Sequence, residues 1–330
     1  MADYINIRGQ NIEVVASDPA NPTIGQIWYN STSNTLKGGG VTTAGTWATG
    51  NPLNTTRYLP GGAGTQTAGL AFGGYNDPAG ITAATELYDG TNWTNNPTGL
   101  NTPRTALSGC GTQTAALGFG GSPTTAATES WNGSTWTTVA NMGTARYSFA
   151  GAGTQTAALG FGGFTFPPST IYSATEEYDG SIWTVGGSLN TARSNLGGTG
   201  TQTAGLAFGG SSPSLTGATE EYDGTSWTSN PTGLNTARLR VKGAGTQTAA
   251  LAFGGEAPPG KQAATEEYDG STWTSNPTGL NTARAATGQA GTQTAALAFG
   301  GDVGGVPFTT GATEEWTGAG APNTVTITAS

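Results

Sequence analysis

The stretch Arg284-Ala-Ala-Thr-Gly-Gln-Ala-Gly-Thr-Gln-Thr-Ala-Ala-Leu-Ala-Phe-Gly-Gly301 decides the fold, because the chain follows its plan six times. Gly-Thr-Gln-Thr-Ala places Gln66, Gln113, Gln155, Gln202, Gln247 and Gln293 at intervals of 47, 42, 47, 45 and 46 residues. Nine residues before each Gln stands an Arg: Arg57, Arg104, Arg146, Arg193, Arg238 and Arg284. Seven residues after each Gln begins a Gly-Gly pair. Ala-Thr-Glu follows, ending at Glu86, Glu129, Glu176, Glu220, Glu266 and Glu314. Seven residues beyond the first five of these comes a Trp: Trp93, Trp136, Trp183, Trp227 and Trp273.

Each unit reads as short strands. The compact apolar run before Gly-Gly is a buried strand and its stop. Ala-Thr-Glu-Glu-Tyr, then Asp-Gly-Ser-Thr, then Trp273 is a hairpin. Its spacing sets Tyr268 across from Trp273, a pairing worth about 0.5–1 kcal/mol. The small, Gly-rich segment after each Arg suits a strand crowded by its neighbours at an axis. Four strands per unit of about 45 residues, repeated, predict an all-β propeller.

The order Arg, apolar strand ending in Gly-Gly, Tyr and Trp resembles the kelch blade. The resemblance spans about residues 41–318, with a Thr- and Ala-rich segment after Gly-Gly and Trp316 in place of Tyr as its departures. It implies a six-bladed propeller. The sixth repeat has no second Trp, whereas Thr46-Trp47-Ala-Thr-Gly-Asn-Pro-Leu-Asn-Thr-Thr-Arg57 matches Trp273 to Arg284 with one residue fewer. The N-terminal strand at residues 45–50 is therefore expected to complete the sixth blade, removing free sheet edges. The six Trp of this set, Trp47 included, are expected to pack between blades with Leu, Phe and Ala of the apolar strands.

Residues 1–40 form an extension and 319–330 a C-terminal strand or tail. Asn21 to Lys37 reads as a hairpin turning at Asn30–Asn34. Its Pro-x-x-Gly-x-x-Trp-Tyr-Asn-x-Thr form resembles a segment near the ends of bacteriophage tail and fibre proteins. Asn323 to Ser330 alternates and suits one more strand, pairing with that hairpin.

Composition narrows the function. The 330 residues include 56 Gly, only 9% charged residues, one Cys and no His. A Ser-His-Asp triad, a Cys-His pair, a His-ligated metal and an internal disulfide are thereby excluded. The net charge of −9 argues against a nucleic-acid partner. No apolar run approaches a membrane helix, so no membrane insertion is expected, and the start lacks the plan of a signal peptide. Kelch-type galactose oxidases hold copper partly through His, so that resemblance implies no copper here, and no cofactor is expected.

Among the repeats, almost all length variation falls between Gly-Gly and Ala-Thr-Glu. The distance from the first Gly to Glu runs 13, 9, 14, 11, 12 and 14 residues. The six loops, 75–83, 122–125, 164–173, 211–216, 256–263 and 302–310, leave the same strand end, which places them on one face of a propeller. They carry Tyr75, Phe164, Phe166, Tyr172, Pro258, Pro259, Lys261 and Phe308. Two readings stand side by side: recognition, since loops on a rigid scaffold carry binding, and unconstrained drift. The acidic residues read structurally. Adjacent Glu176 and Glu177 point to opposite faces of a strand, one expected on Arg or backbone and the other in solvent. Asp89, Asp179, Asp223 and Asp269 are turn residues. Asp-Gly-Ser-Thr-Trp is one residue shorter than the sialidase Asp-box, and no carboxylate stands out in one blade as a glycosidase acid requires. Arg238, Arg240 and Lys242 alternate, which predicts one cationic face on an inner strand, either solvated or facing an anion or partner.

The function expected from these features is a non-enzymatic virion protein of a bacteriophage, tail-fibre-like or decorating the surface. Residues 1–40 would dock to other virion proteins and the loops would meet a host-surface glycan or receptor. The alternatives are a glycan-active propeller enzyme and a soluble kelch interaction module.

Overall fold

The computed structural model describes residues 12–19, 26–41, 44–320 and 322–327. The first part of the expected hairpin, residues 21–25, and the end of the expected last strand, residues 328–330, lie outside them. The described residues are all β, without a helix, and divide into two compact units, Thr46–Thr317 and the segments on either side of it.

In the smaller unit, Ile27–Asn30 and Thr35–Val41 pair as an antiparallel hairpin through residues 31–34. Asn30 shapes the turn, its Oδ1 accepting the N–H groups of Thr32 and Ser33 at 3.0 and 2.9 Å. Asn34 supplies the left-handed residue, φ +54°, a conformation that Asn tolerates better than most residues. Pro322–Thr326 adds antiparallel to Thr35–Val41, and Glu13–Val15 adds parallel to Ile27–Asn30. Trp28 is fully buried and donates to Asp18 at 3.0 Å.

The larger unit holds six four-stranded antiparallel sheets. The first runs Gly61–Thr65, Ala68–Phe72, Thr85–Tyr88, Trp93–Asn96 from its inner to its outer edge. The sixth runs Gly288–Gly291, Ala295–Phe299, Thr313–Thr317 and then Thr46–Gly50, so its outer strand comes from the other end of the unit. There Trp47 lies opposite Trp316. Tyr268 lies opposite Trp273, with ring centroids 4.9 Å apart.

Glycine lets the inner strands crowd together. A Cβ on Gly62 would stand 2.5 Å from the carbonyl oxygen of Gln289, and one on Gly109 only 2.4 Å from the Phe72 ring. Each such Phe slides under the neighbouring sheet to meet its Trp. Phe72 meets Trp136 at 4.8 Å, Phe161 meets Trp227 at 4.8 Å and Phe253 meets Trp47 at 5.0 Å. Six separate apolar clusters result, each drawn from two successive sheets, with one joining the sixth to the first.

The repeated polar residues are consumed by the same junctions. The indole N–H of each outer-strand Trp, Trp47 included, reaches the Thr of Ala-Thr-Glu in the preceding sheet, as Trp227 reaches Thr175 at 2.9 Å and Trp93 reaches Thr313 at 2.9 Å. Each repeated Gln donates to backbone carbonyls of the preceding sheet, as Gln113 does to Gly69 and Tyr88 at 3.0 and 2.6 Å. Within every sheet the Arg is fully buried against its Glu, as Arg104 is to Glu129 at 2.8 Å. The same guanidinium ties down the loop base by donating to the carbonyls of Gly120 and Ala127. Burial of both charges is costly unless hydrogen bonds complete the pair. Backbone N–H groups help to do so: Glu129 also accepts from Asn101 at 2.6 Å.

The second Glu departs from the expectation that it is solvated. Glu177, Glu221 and Glu315 accept the phenol O–H of Tyr222, Tyr268 and Tyr88 from the following sheet. The outward face of the third strand is not free, because the next sheet lays its Tyr over it. Where the sequence changes, the bond changes with it: the second sheet has Ser130 in place of the second Glu, and Tyr178 instead donates to the carbonyl of Gly180.

Burial, followed by the bond to Glu177, pushes the Tyr222 phenol up to about 12. A raised folded pKa means that this contribution is complete below the unfolded value of about 10 and is lost as pH rises through the folded one. The melting temperature should therefore fall between about pH 10 and 12. Tyr222→Phe should flatten that slope, and an unchanged slope in thermal melts would refute the assignment. The Asp turns behave oppositely. Backbone N–H bonds, that from Thr272 foremost, hold Asp269 down at about 2.

Candidate functional site

The residue two places after each repeated Arg begins the site. Leu59, Ala106, Ser148, Asn195, Arg240 and Ala286 all take left-handed backbone, with φ between +52° and +58°. Their main chains link into a cycle. Leu59 N donates to Ala286 O, Ala106 N to Leu59 O, and so on through Ser148, Asn195 and Arg240 back to Ala286 N on Arg240 O, at 2.7–3.1 Å. The strain of six non-glycine residues in this region, a feature that clusters at functional sites, is offset by the cycle. The inner strands run on from this ring as an axial space of about 130 Å³ lined by Ala63, Cys110, Thr199 and their equivalents.

The variable loops are pinned beside the ring. The residue after each Arg forms a β-bridge with the residue after Gly-Gly: Tyr58 with Tyr75, Thr105 with Ser122, Tyr147 with Phe164, Ser194 with Ser211, Leu239 with Glu256 and Ala285 with Asp302. Four loops continue as two-residue ladders, including Tyr75–Asn76 with Gly80–Ile81 and Glu256–Ala257 with Gly260–Lys261. Their bases therefore have fixed positions, and variation is confined to the tips.

Three surfaces follow. Tyr58, Tyr75 and Phe308 form an aromatic group across the first and sixth loops, with Tyr58 5.5 Å from Tyr75 and 5.1 Å from Phe308. Burial raises the Tyr58 phenol above its ordinary value, although Arg240 opposes the shift. A second group lies on the third repeat, where Tyr147 meets Phe164 edge-on at 5.4 Å. Beyond it Phe166 is 63% exposed, and its carbonyl accepts from Thr124 of the short second loop. The third surface is ionic. Lys261 reaches Glu256 at 2.9 Å and Asp302 at 2.7 Å, and Arg240 reaches Glu256 at 3.3 Å.

The expected site residues thus fall into different roles. Tyr75, Phe308, Phe164 and Phe166 belong to aromatic surfaces, and Pro258 is exposed at the fifth loop tip. Lys261 is tied into the ion network. Tyr172 holds its loop through main-chain bonds to Gly163 and Arg193. The sequence reading missed Tyr58, Tyr147 and Asp302. Comparing the position after each Arg across repeats would have found the two tyrosines.

The expected cationic face at Arg238, Arg240 and Lys242 does not form. The strand begins only at Lys242, and the left-handed Arg240 turns the chain before it, so alternation does not hold. Arg238 is buried on Glu266, Arg240 joins the ion network and Lys242 lines two small cavities beside the ring and the inner strands. Burial pushes Lys242 down to about 8.

No protein-family model matches the chain, and no curated protein matches it.

Proposed function

We propose that Thr46–Thr317 is a six-bladed, kelch-like propeller closed by the strand Thr46–Gly50. In this reading the chain is a non-enzymatic structural protein of a bacteriophage particle. Residues 1–40 dock to other virion proteins, and the loop face meets a host-surface glycan or protein. One observation carries the recognition role. The residues shared by the repeats (Arg, Glu, Gln, Trp and Thr) are spent on bonds within and between sheets, while the residues that differ gather on one face. That face presents two aromatic surfaces around a fixed ring, and aromatic side chains supply large apolar area at little conformational cost. The repeated carboxylates are held by Arg, Tyr, Asn or backbone donors, which supports a binding role over acid–base chemistry.

The test is adhesion of the purified chain to bacterial cells and to their isolated surface polysaccharide. Phe166→Ser with Tyr75→Ser should weaken binding at least about tenfold, the loss of 1.4 kcal/mol or more, while melting with the wild type to within about 2 °C. Unchanged adhesion would reject the loop face, and release of reducing sugar by the wild type would reject the non-enzymatic reading.

A further inference from the structure

Lys242 occupies the first position of its inner strand, where the other repeats have Gly61, Ser108, Ala150, Gly197 and Gly288. It is the only charged side chain in that ring of equivalent positions. Its side chain lines two small cavities of about 20 Å³ each. One lies against the ring of left-handed residues and is shared with Ser148, Asn195, Arg240 and the apolar Leu59 and Phe149. The other lies deeper, beside Ser108 and Gln289. No carboxylate lines either cavity. The carboxylates nearest in the chain's loops, Glu256 and Asp302, are already engaged by Lys261 and Arg240.

Two unmet donors therefore meet at one cavity. Among the described residues the Lys242 ammonium has neither a hydrogen-bond nor an ion-pair partner, and the Arg240 Nε is buried without an acceptor. Lys242 is partly buried, and a charge drawn out of water without a counter-charge is costly, so proteins pair or neutralise such groups. Arg240 is paired with Glu256 through its terminal nitrogen, so water would satisfy the hydrogen bonds but leave the Lys242 charge uncompensated. A cavity of about 20 Å³ admits an object the size of one water. Ser148 and Asn195 line the same space, and their side chains carry hydrogen-bond donors, although the Asn195 amide also reaches Ser194 at 3.4 Å. The remaining repeats place Leu59, Ala106 and Ala286 in that ring, and Asn195 is the direct neighbour of Arg240 in it.

We propose that this cavity binds a monovalent anion of chloride size, held by Lys242 and Arg240. The site is internal and structural: it neutralises the axis at the level of the ring and is independent of whatever the loops recognise.

Bromide is the probe. Crystals of the full chain soaked in sodium bromide should show an anomalous peak within about 3.5 Å of the Lys242 Nζ, the reach of a charge-assisted contact to a large anion. In solution, bromide or chloride should raise the melting temperature by about 2–4 °C over sodium gluconate at equal ionic strength, as expected for a ligand that binds only the folded state. Lys242→Met should lose both the peak and the anion-dependent shift. If that variant does not fold, the wild-type soak decides alone, and Lys242→Arg should retain the shift. A wild-type cavity that holds only water, or an equal anion effect in Lys242→Met, would overturn the proposal.

Discussion

Arg193→Met should destabilise the chain by about 3–5 kcal/mol, the range for removing one partner of a buried ion pair. Arg193 is fully buried, with its guanidinium 2.8 Å from Glu220 and donating to the carbonyls of Gly209 and Ala218. Met fills much of the volume but leaves Glu220 charged, 2% exposed and supported mainly by the N–H of Asn190 at 2.6 Å. It also takes a donor from both carbonyls at the base of the variable loop, where Ala218 keeps only the Gly209 N–H. Arg193→Lys keeps the charge but not the planar fork that spans three acceptors, so its loss should be intermediate. Adding Glu220→Gln to Arg193→Met should recover part of the stability, because the stranded charge goes with it. Urea unfolding of the three variants measures this order. A single variant as stable as the wild type would mean that the repeated Arg–Glu pair is dispensable.

Trp227→Ala should cost a similar amount, about 3–5 kcal/mol, by opening a cavity between two sheets. The ring is 5% exposed, 4.8 Å from Phe161 of the preceding sheet and 5.0 Å from Tyr222 of its own. Its indole N–H also satisfies Thr175, which is fully buried. Trp227→Phe keeps most of the packing and loses the bond, which should cost about 1–2 kcal/mol. Trp183 provides an internal control. It makes the equivalent bond to Thr128 at 3.1 Å but is only half-buried, so Trp183→Ala should cost less than Trp227→Ala. Equal melting of Trp227→Ala and wild type would remove the ring from the junction between sheets.

The sequence made the sheets legible because its spacing fixes register. The constant seven residues from Glu220 to Trp227 place Tyr222 opposite Trp227, and the pairing of Thr46–Gly50 with Thr313–Thr317 follows from the same pattern read across the ends of the repeat. Spacing within one chain segment says nothing about which atoms meet between sheets. The bonds of Gln113 to Gly69 and of Tyr222 to Glu177 depend on sheets stacking face to face, so the second Glu was misjudged as solvated. The candidate site was legible only in part. Loop length marked the variable face, but its fixed frame is a ring of left-handed residues, and neither Leu59 nor Arg240 carries a glycine-like signal for that conformation. The turn at Arg240 also explains the failed cationic strand, since strict alternation assumes extended backbone throughout.

An electron cryo-microscopy map of a particle carrying this chain tests the account most directly. The account predicts six sheets around one axis, with Trp47 against Phe253 and Trp316, residues 1–40 seated on another virion protein, and the six variable loops facing solvent. A seventh sheet, Trp47 outside the sixth, or loops buried against the particle would contradict it.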